Sequence, residues 1–130
     1  MTFLDSSAII DYLQGSDYAV EYLDGREPFF TSTICVYEVI QNRLGSGTTD
    51  IEGLRGDFGG VQALDLTEEI TLEALRLQDE VMSDGDRLTT PDALIAATAR
   101  STGAEFVVAD SDFQTSHLED LMTVTNLHEN

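Results

Sequence analysis

Short apolar runs alternate with longer amphipathic stretches along this chain, a pattern that predicts strands interleaved with helices. Thr2-Phe3-Leu4 is long enough for a short buried strand and ends on Asp5; Ser6-Ser7, good helix-capping residues, then stand ahead of the apolar-rich segment Ala8 to Leu13. Gly15-Ser16-Asp17 opens a second helix around Ala19, Val20, Tyr22 and Leu23, closed by Asp24-Gly25. Pro28 precedes a strand at Phe29-Phe30-Thr31. Ser32-Thr33 then caps a largely buried helix, Ile34 to Gln41, whose length and caps outweigh its β-branched content. A flexible turn from Gly45 to Thr49 leads to a weaker helix from Asp50 to about Phe58 and a Gly59-Gly60 break. Val61 to Leu66 is the third strand, and Thr67-Glu68-Glu69 starts a long helix with Ile70, Ala74, Leu77 and Val81 on one face. Thr89-Thr90-Pro91-Asp92 opens the cleanest helix, which Gly103 ends. Phe106-Val107-Val108-Ala109 reads as a fourth strand running into Asp110-Ser111-Asp112, and Met122 to Thr125 as a fifth, at an edge.

Connections longer than hairpins between successive strands imply a mainly parallel sheet, so the chain is expected to be an α/β protein with α/β/α layers. A length of 130 residues suits one domain, expected to span 1–130. No run approaches a membrane span and the start lacks a signal-peptide pattern, which points to a cytoplasmic protein with no membrane partner. The single cysteine, Cys35, falls within an apolar helical pattern and reads as a buried, reduced packing residue.

Charge changes the picture. Asp and Glu number 25 against six arginines, lysine is absent, and the net charge is −19. The acids are spread along both halves, so this is a surface property rather than an acidic tail. Such a surface suits a cytosol of very high salt, where charge is screened over about 3 Å at 1 M ionic strength, and a halophile is the expected source. With so many acids, position alone marks none of them; local setting must.

Asp5 and Asp110 each follow a predicted strand, and in an open parallel sheet the C-terminal edge is where ligand crevices form. Glu38 is an acid among Val36, Tyr37, Val39 and Ile40, costly there unless something positive pairs with it. Asp92 sits in a first helical turn of an otherwise apolar segment, where stabilising the helix dipole is the ordinary explanation; capping and arginine pairing are the ordinary explanations for the others. Should the four converge, a divalent cation is their natural partner, and an all-oxygen set suits Mg²⁺ or Mn²⁺. Asp112 supports the turn or joins the set. His117 and His128 show no partner pattern.

These residues resemble a known family. Asp5-Ser6-Ser7, Glu38 within Val36-Tyr37-Glu38-Val39, the segment Thr90-Pro91-Asp92 to Ala99, and Val107-Val108-Ala109-Asp110-Ser111-Asp112-Phe113 look like the four acidic motifs of the PIN domain. More narrowly they resemble VapC-type toxins of toxin-antitoxin pairs. The resemblance implies a five-stranded sheet in the order 3-2-1-4-5 and Mg²⁺- or Mn²⁺-dependent endoribonuclease activity. It further implies one or two ions held by Asp5, Glu38, Asp92 and Asp110, a homodimer, and a VapB-like antitoxin as partner. Ser6 is a candidate for a phosphate contact, for orienting a carboxylate, or for capping the helix; Arg87 is the candidate phosphate contact among the few basic residues.

Other chemistries fit less well. A receiver domain relies on a lysine, a haloacid-dehalogenase-like phosphatase wants a second Asp where Ser7 stands, and no phosphate-binding glycine loop is present. Two alternatives remain: a PIN-like RNA- or protein-binding module without nuclease activity, and a freestanding PIN nuclease in RNA processing.

Overall fold

The computed structural model describes residues 1–110, 112–113 and 116–129; Ser111 and the side chain of His117 lie outside the described residues. Five strands, β1 (Thr2–Leu4), β2 (Phe29–Ser32), β3 (Val61–Leu64), β4 (Glu105–Val108) and β5 (Val124–Asn126), form one sheet in the order β3-β2-β1-β4-β5. Every pairing is parallel. The helices are α1 (Ser6–Leu13), α2 (Asp17–Leu23), α3 (Thr33–Gln41), α4 (Ile51–Gly56), α5 (Glu68–Ser83), α6 (Thr90–Thr102) and α7 (Ser116–Leu121). The expected layered α/β/α fold and its strand order are both observed.

Central strands β1 and β4 pair with Phe3 opposite Phe106 and Leu4 opposite Val107. Because side chains alternate across a strand, each residue pair feeds a different core. Phe3, Phe106 and Val108 pack with Cys35 and with the inner faces of α5 and α6, while Leu4 and Val107 pack with Ala8 and Ile9 of α1 and Leu23 of α2. Full burial of such side chains contributes about 1.5–3 kcal/mol each, so the middle of the sheet is its most strongly held part. Phe113 extends this core beyond the end of β4. It is buried, with its ring 4.8 Å from that of Phe106. Cys35 is fully buried as expected, and burial pushes its thiol up to about 11, far from a reactive thiolate.

Helix starts follow the predicted caps with two exceptions, the first being Ser16, whose side chain makes no cap bond at the start of α2. Ser32 accepts from the Cys35 N–H, Thr67 from that of Ile70 and Thr89 from that of Asp92. At α1, however, the cap is Asp5 rather than the serines: its extended backbone lets the carboxylate accept the Ala8 N–H at 2.9 Å. Ser6 and Ser7 are thereby the first helical residues, and their hydroxyls are free for other bonds. Gly103 ends α6 at φ 68°, a left-handed conformation that glycine adopts without steric cost. Several boundaries differ from expectation: β3 stops at Leu64 rather than Leu66, β4 begins and ends one residue earlier, β5 runs Val124–Asn126 rather than Met122 to Thr125, and α7 carries too short a periodic pattern to stand out in the sequence. No described helix is long and apolar enough to cross a membrane.

Candidate active site

The strand order puts β1 beside β4, so their C-terminal ends open on the same edge of the sheet, with Asp5 leaving one and Asp110 the other. The Asp5 N–H donates to the Val107 carbonyl at 3.2 Å, extending the ladder by one bond and fixing where the first carboxylate emerges. Asp5 is only 2 % exposed. Its carboxylate accepts from the Ala8 N–H and from Ser7 Oγ, at 2.7 and 2.8 Å to its two oxygens. Ser7 Oγ in turn accepts the Ala109 N–H at 2.9 Å. One hydroxyl thus ties the acid of β1 to the backbone one residue before the acid of β4.

Glu38 and Asp92 approach from the two helices packed nearby. Glu38, half-buried on α3, accepts from Ser6 Oγ at 3.1 Å. Asp92, also half-buried, lies in the first turn of α6. Asp110 accepts the Asp112 N–H at 3.0 Å, and its carbonyl accepts from Asn126 Nδ2 at 2.8 Å, which fastens the exit of β4 to the end of β5. The Asp112 side chain is exposed.

Electrostatics show how these acids sense one another. Burial, opposed by the bonds from Ala8 and Ser7 and reinforced by the charges of Asp110 and Glu38, raises Asp5 from 3.8 to about 7. Glu38 is raised first by burial, then by Asp92, Asp110 and Asp112, against the Ser6 bond. Asp92 is raised by burial and by Asp112 and Asp110. Each carboxylate therefore lies within reach of at least two others. Among the described residues none of the four is paired with an arginine, which removes the ordinary explanation for Glu38.

Such a cluster can take up protons or cations, and its donors are all the hard oxygens that suit Mg²⁺ or Mn²⁺. As they stand, no three His, Cys, Asp or Glu side chains among the described residues close tightly enough to hold an ion. The structure thus brings Asp5, Glu38, Asp92, Asp110 and Asp112 into one neighbourhood without closing them on one point. Arg87 is exposed on the segment between α5 and α6, which is held by Gln78, whose amide brackets the backbone of Leu88 at 2.6 and 3.0 Å. Sequence reasoning missed Ser7 and Asn126. A second serine after Asp5 was the only trace of the first, and nothing local marked the second.

The PIN domain family model matches residues 2–116, and the chain belongs to that family. Solved structures with this fold include a toxin-antitoxin complex from Klebsiella pneumoniae, at 21 % identity over 98 % of each chain with a TM-score of 0.75. FitAcB from Neisseria gonorrhoeae is similar at 19 % identity over 100 % of each chain and a TM-score of 0.77. VapC20 from Mycobacterium tuberculosis, a sarcin-ricin-loop-cleaving toxin, matches at 16 % identity over 86 % of this chain and 92 % of its own, with a TM-score of 0.61. No curated protein matches the chain in sequence.

Proposed function

We propose that this chain is a Mg²⁺- or Mn²⁺-dependent endoribonuclease, the VapC-type toxin of a toxin-antitoxin pair, acting on RNA in the cytoplasm. The observation that carries the reading is the gathering of Asp5, Glu38, Asp92 and Asp110 from four different elements at one sheet edge, mutually repelling and without an arginine among them. Acids placed only for stability are expected beside cations or solvent; acids placed beside each other suit a divalent ion.

In this reading the four carboxylates, with Asp112 at the rim, would hold the ion. The chemistry a divalent ion supplies at such a site is activation of water and offset of the charge that develops on a phosphodiester. The chain's own residues set the stage for it. Asp5, held by Ala8 and Ser7, is the fixed donor at the floor. Ser6 orients Glu38, and Asn126 and Asp112 hold Asp110. Arg87 meets a phosphate of the incoming RNA. A VapB-like antitoxin, supported by the toxin-antitoxin assemblies among proteins of the same fold, and a homodimer complete the proposal.

One observation favours a second reading, a PIN-like binding module without nuclease activity: no three of the described acids close on a common point. Incubating cellular RNA with the native protein and with Asp110→Asn in Mn²⁺ and molar KCl, then sequencing the new ends, separates the two. Discrete cuts that vanish in the variant and with a chelator are expected. Intact RNA from a native protein that retains RNA would establish the binding module instead.

A further inference from the structure

We propose that the turn after β5 is a strap that positions Asp110, with Asn126 as its grip on the acid and His128 as its latch on α1 and α2. The proposal rests on the reading of Asp110 as a metal-holding carboxylate. The sheet itself leaves that acid loose. The ladder between β4 and β5 ends with Val108 opposite Asn126, so Ala109 and Asp110 run on beyond its last rung. Strand pairing alone does not fix where the Asp110 side chain emerges, and a site held about 1 Å too loosely fails at its task. Two side chains take over from the ladder. Ser7 Oγ accepts the Ala109 N–H at 2.9 Å from the β1 side, and Asn126 Nδ2 donates to the Asp110 carbonyl at 2.8 Å from the β5 side. The bond from the Asp112 N–H lies within the same segment and travels with it.

Asn126 is itself held. It is buried, and while its Nδ2 donates to Asp110 its Oδ1 accepts the His128 N–H at 2.9 Å, so both ends of one planar amide are used. Turning the amide away from Asp110 breaks its bond to the turn as well. That turn, Leu127–Glu129, is a single 3-10 helix fixed at two further points. Leu127 is buried in the core that holds Leu4, Ile9 and Leu23. His128 lies at the surface, its Nε2 3.0 Å from Asp11 Oδ2 and 3.2 Å from the Tyr18 hydroxyl, with the two rings 5.0 Å apart. The Tyr18 hydroxyl donates its one proton to Asp11 at 2.8 Å, so toward His128 it can only accept, and the hydrogen of the latch is on Nε2. A chain of contacts thus runs from α1 and α2 through His128 and Asn126 to the acid beyond β4. The last residues of a domain fray unless something ties them, and here the tie and the grip share the segment Asn126 to His128. Loosening the latch therefore loosens the grip, by no more than the latch itself contributes.

The test compares native protein with Asn126→Ala, His128→Ala and His128→Gln, and with Glu105→Gln, which disturbs β4 at its other end. Electron paramagnetic resonance reads Mn²⁺ affinity and melting curves read folding. In the metal-free protein, the ¹³C shift of the Asp110 carbonyl reads the bond that it accepts. Asn126→Ala is expected to lose about 10- to 100-fold in Mn²⁺ affinity, and His128→Ala about 3- to 10-fold, the contribution of one hydrogen bond. Both are expected to move the carbonyl shift. His128→Gln is expected to restore both readouts, because its Nε2 stands as many bonds from the backbone and still donates to Asp11 and Tyr18. Glu105→Gln is expected to melt earlier with Mn²⁺ affinity within about twofold of native and the carbonyl shift unmoved. A His128→Ala protein that melts earlier but keeps native Mn²⁺ affinity and carbonyl shift overturns the proposal, since the turn is then a structural fastening only. So does a His128→Gln protein that behaves as His128→Ala. If Asn126→Ala does not fold, the two His128 variants decide. Native affinity in Asp110→Asn, or no Mn²⁺ binding by the native protein, is a different failure: the reading of Asp110 falls, and the strap with it.

Discussion

Strand β4 begins at Glu105 and runs out toward Asp110, and the carboxylates at its two ends are held in opposite ways. Glu105 receives the Tyr22 hydroxyl at 2.6 Å and the Thr125 hydroxyl at 2.7 Å on one oxygen, and faces Arg26 at 3.7 Å with the other. The same arginine lies over the Tyr22 ring. It is an acid fitted with donors and a cation, tying α2, β4 and β5 together. Asp110 has one backbone N–H on its carboxylate, and its neighbours are other acids. In a chain this acidic, identity and abundance cannot separate a structural carboxylate from a functional one; the company each keeps can.

The sharpest way to break that contrast is to neutralise each end in turn. Asp110→Asn is expected to weaken Mn²⁺ binding by more than the about 10- to 100-fold typical of losing a group that merely supports a ligand. Glu105→Gln, at the far edge of the sheet, is expected to leave Mn²⁺ binding within about twofold and to lower the melting temperature by a few degrees. Manganese titration followed by electron paramagnetic resonance, with melting curves on the same samples, reads both. Equal losses of Mn²⁺ affinity would show that the two ends do not differ in kind.

The second effect is a pH dependence carried by Asp5. Its pKa rises from 3.8 to about 7 on folding, mainly through burial, so between those values the folded state binds more protons than the unfolded one. Stability from this residue is present below about pH 4 and is lost as pH rises through about 7. Three units correspond to about 4 kcal/mol at most. In the absence of metal, Asp5→Asn is expected to melt near native at about pH 4 and clearly above native at about pH 8, since the amide oxygen still accepts from Ala8 and Ser7. A variant that melts below native at both values would mean that the charge of Asp5 is already compensated within the fold.

Much of this was legible because the signals are local. An apolar triplet running into Asp5, an acid inside the apolar helix around Glu38, and Pro91 one residue before Asp92 each declare themselves within a few positions. The strand order followed only from family resemblance, since no residue encodes which strands become neighbours. What stayed hidden depends on distance along the chain. Ser7 and Ala109 are 102 residues apart, and Asn126 grips the Asp110 carbonyl from 16 residues away. Ser6 read as a cap, a phosphate contact or a carboxylate-orienting group, and Ser7 only as a cap, because capping is what serine does locally. The fold gave that task to the aspartate and left Ser6 for Glu38 and Ser7 for the junction of β1 and β4.

Arg87 marks the limit of the contrast, since it is the one basic side chain proposed to act at an edge otherwise defined by acids. It is exposed and makes no ion pair among the described residues, so its attraction for a phosphate passes through water and salt. Arg87→Ala is expected to lower RNA affinity several-fold in dilute salt and to reduce the slope of log affinity on log salt by about 0.7, the value for one phosphate on a single strand. At molar KCl, with screening over about 3 Å, the same substitution is expected to cost less than about twofold. Salt titrations of RNA binding by the two proteins check it. A loss above about tenfold that persists in molar KCl would place Arg87 in a desolvated, two-pronged grip on the RNA. The site would then hold its substrate by a fixed cation, as Glu105 is held by Arg26, and the distinction between the two ends of β4 would shrink to the metal alone.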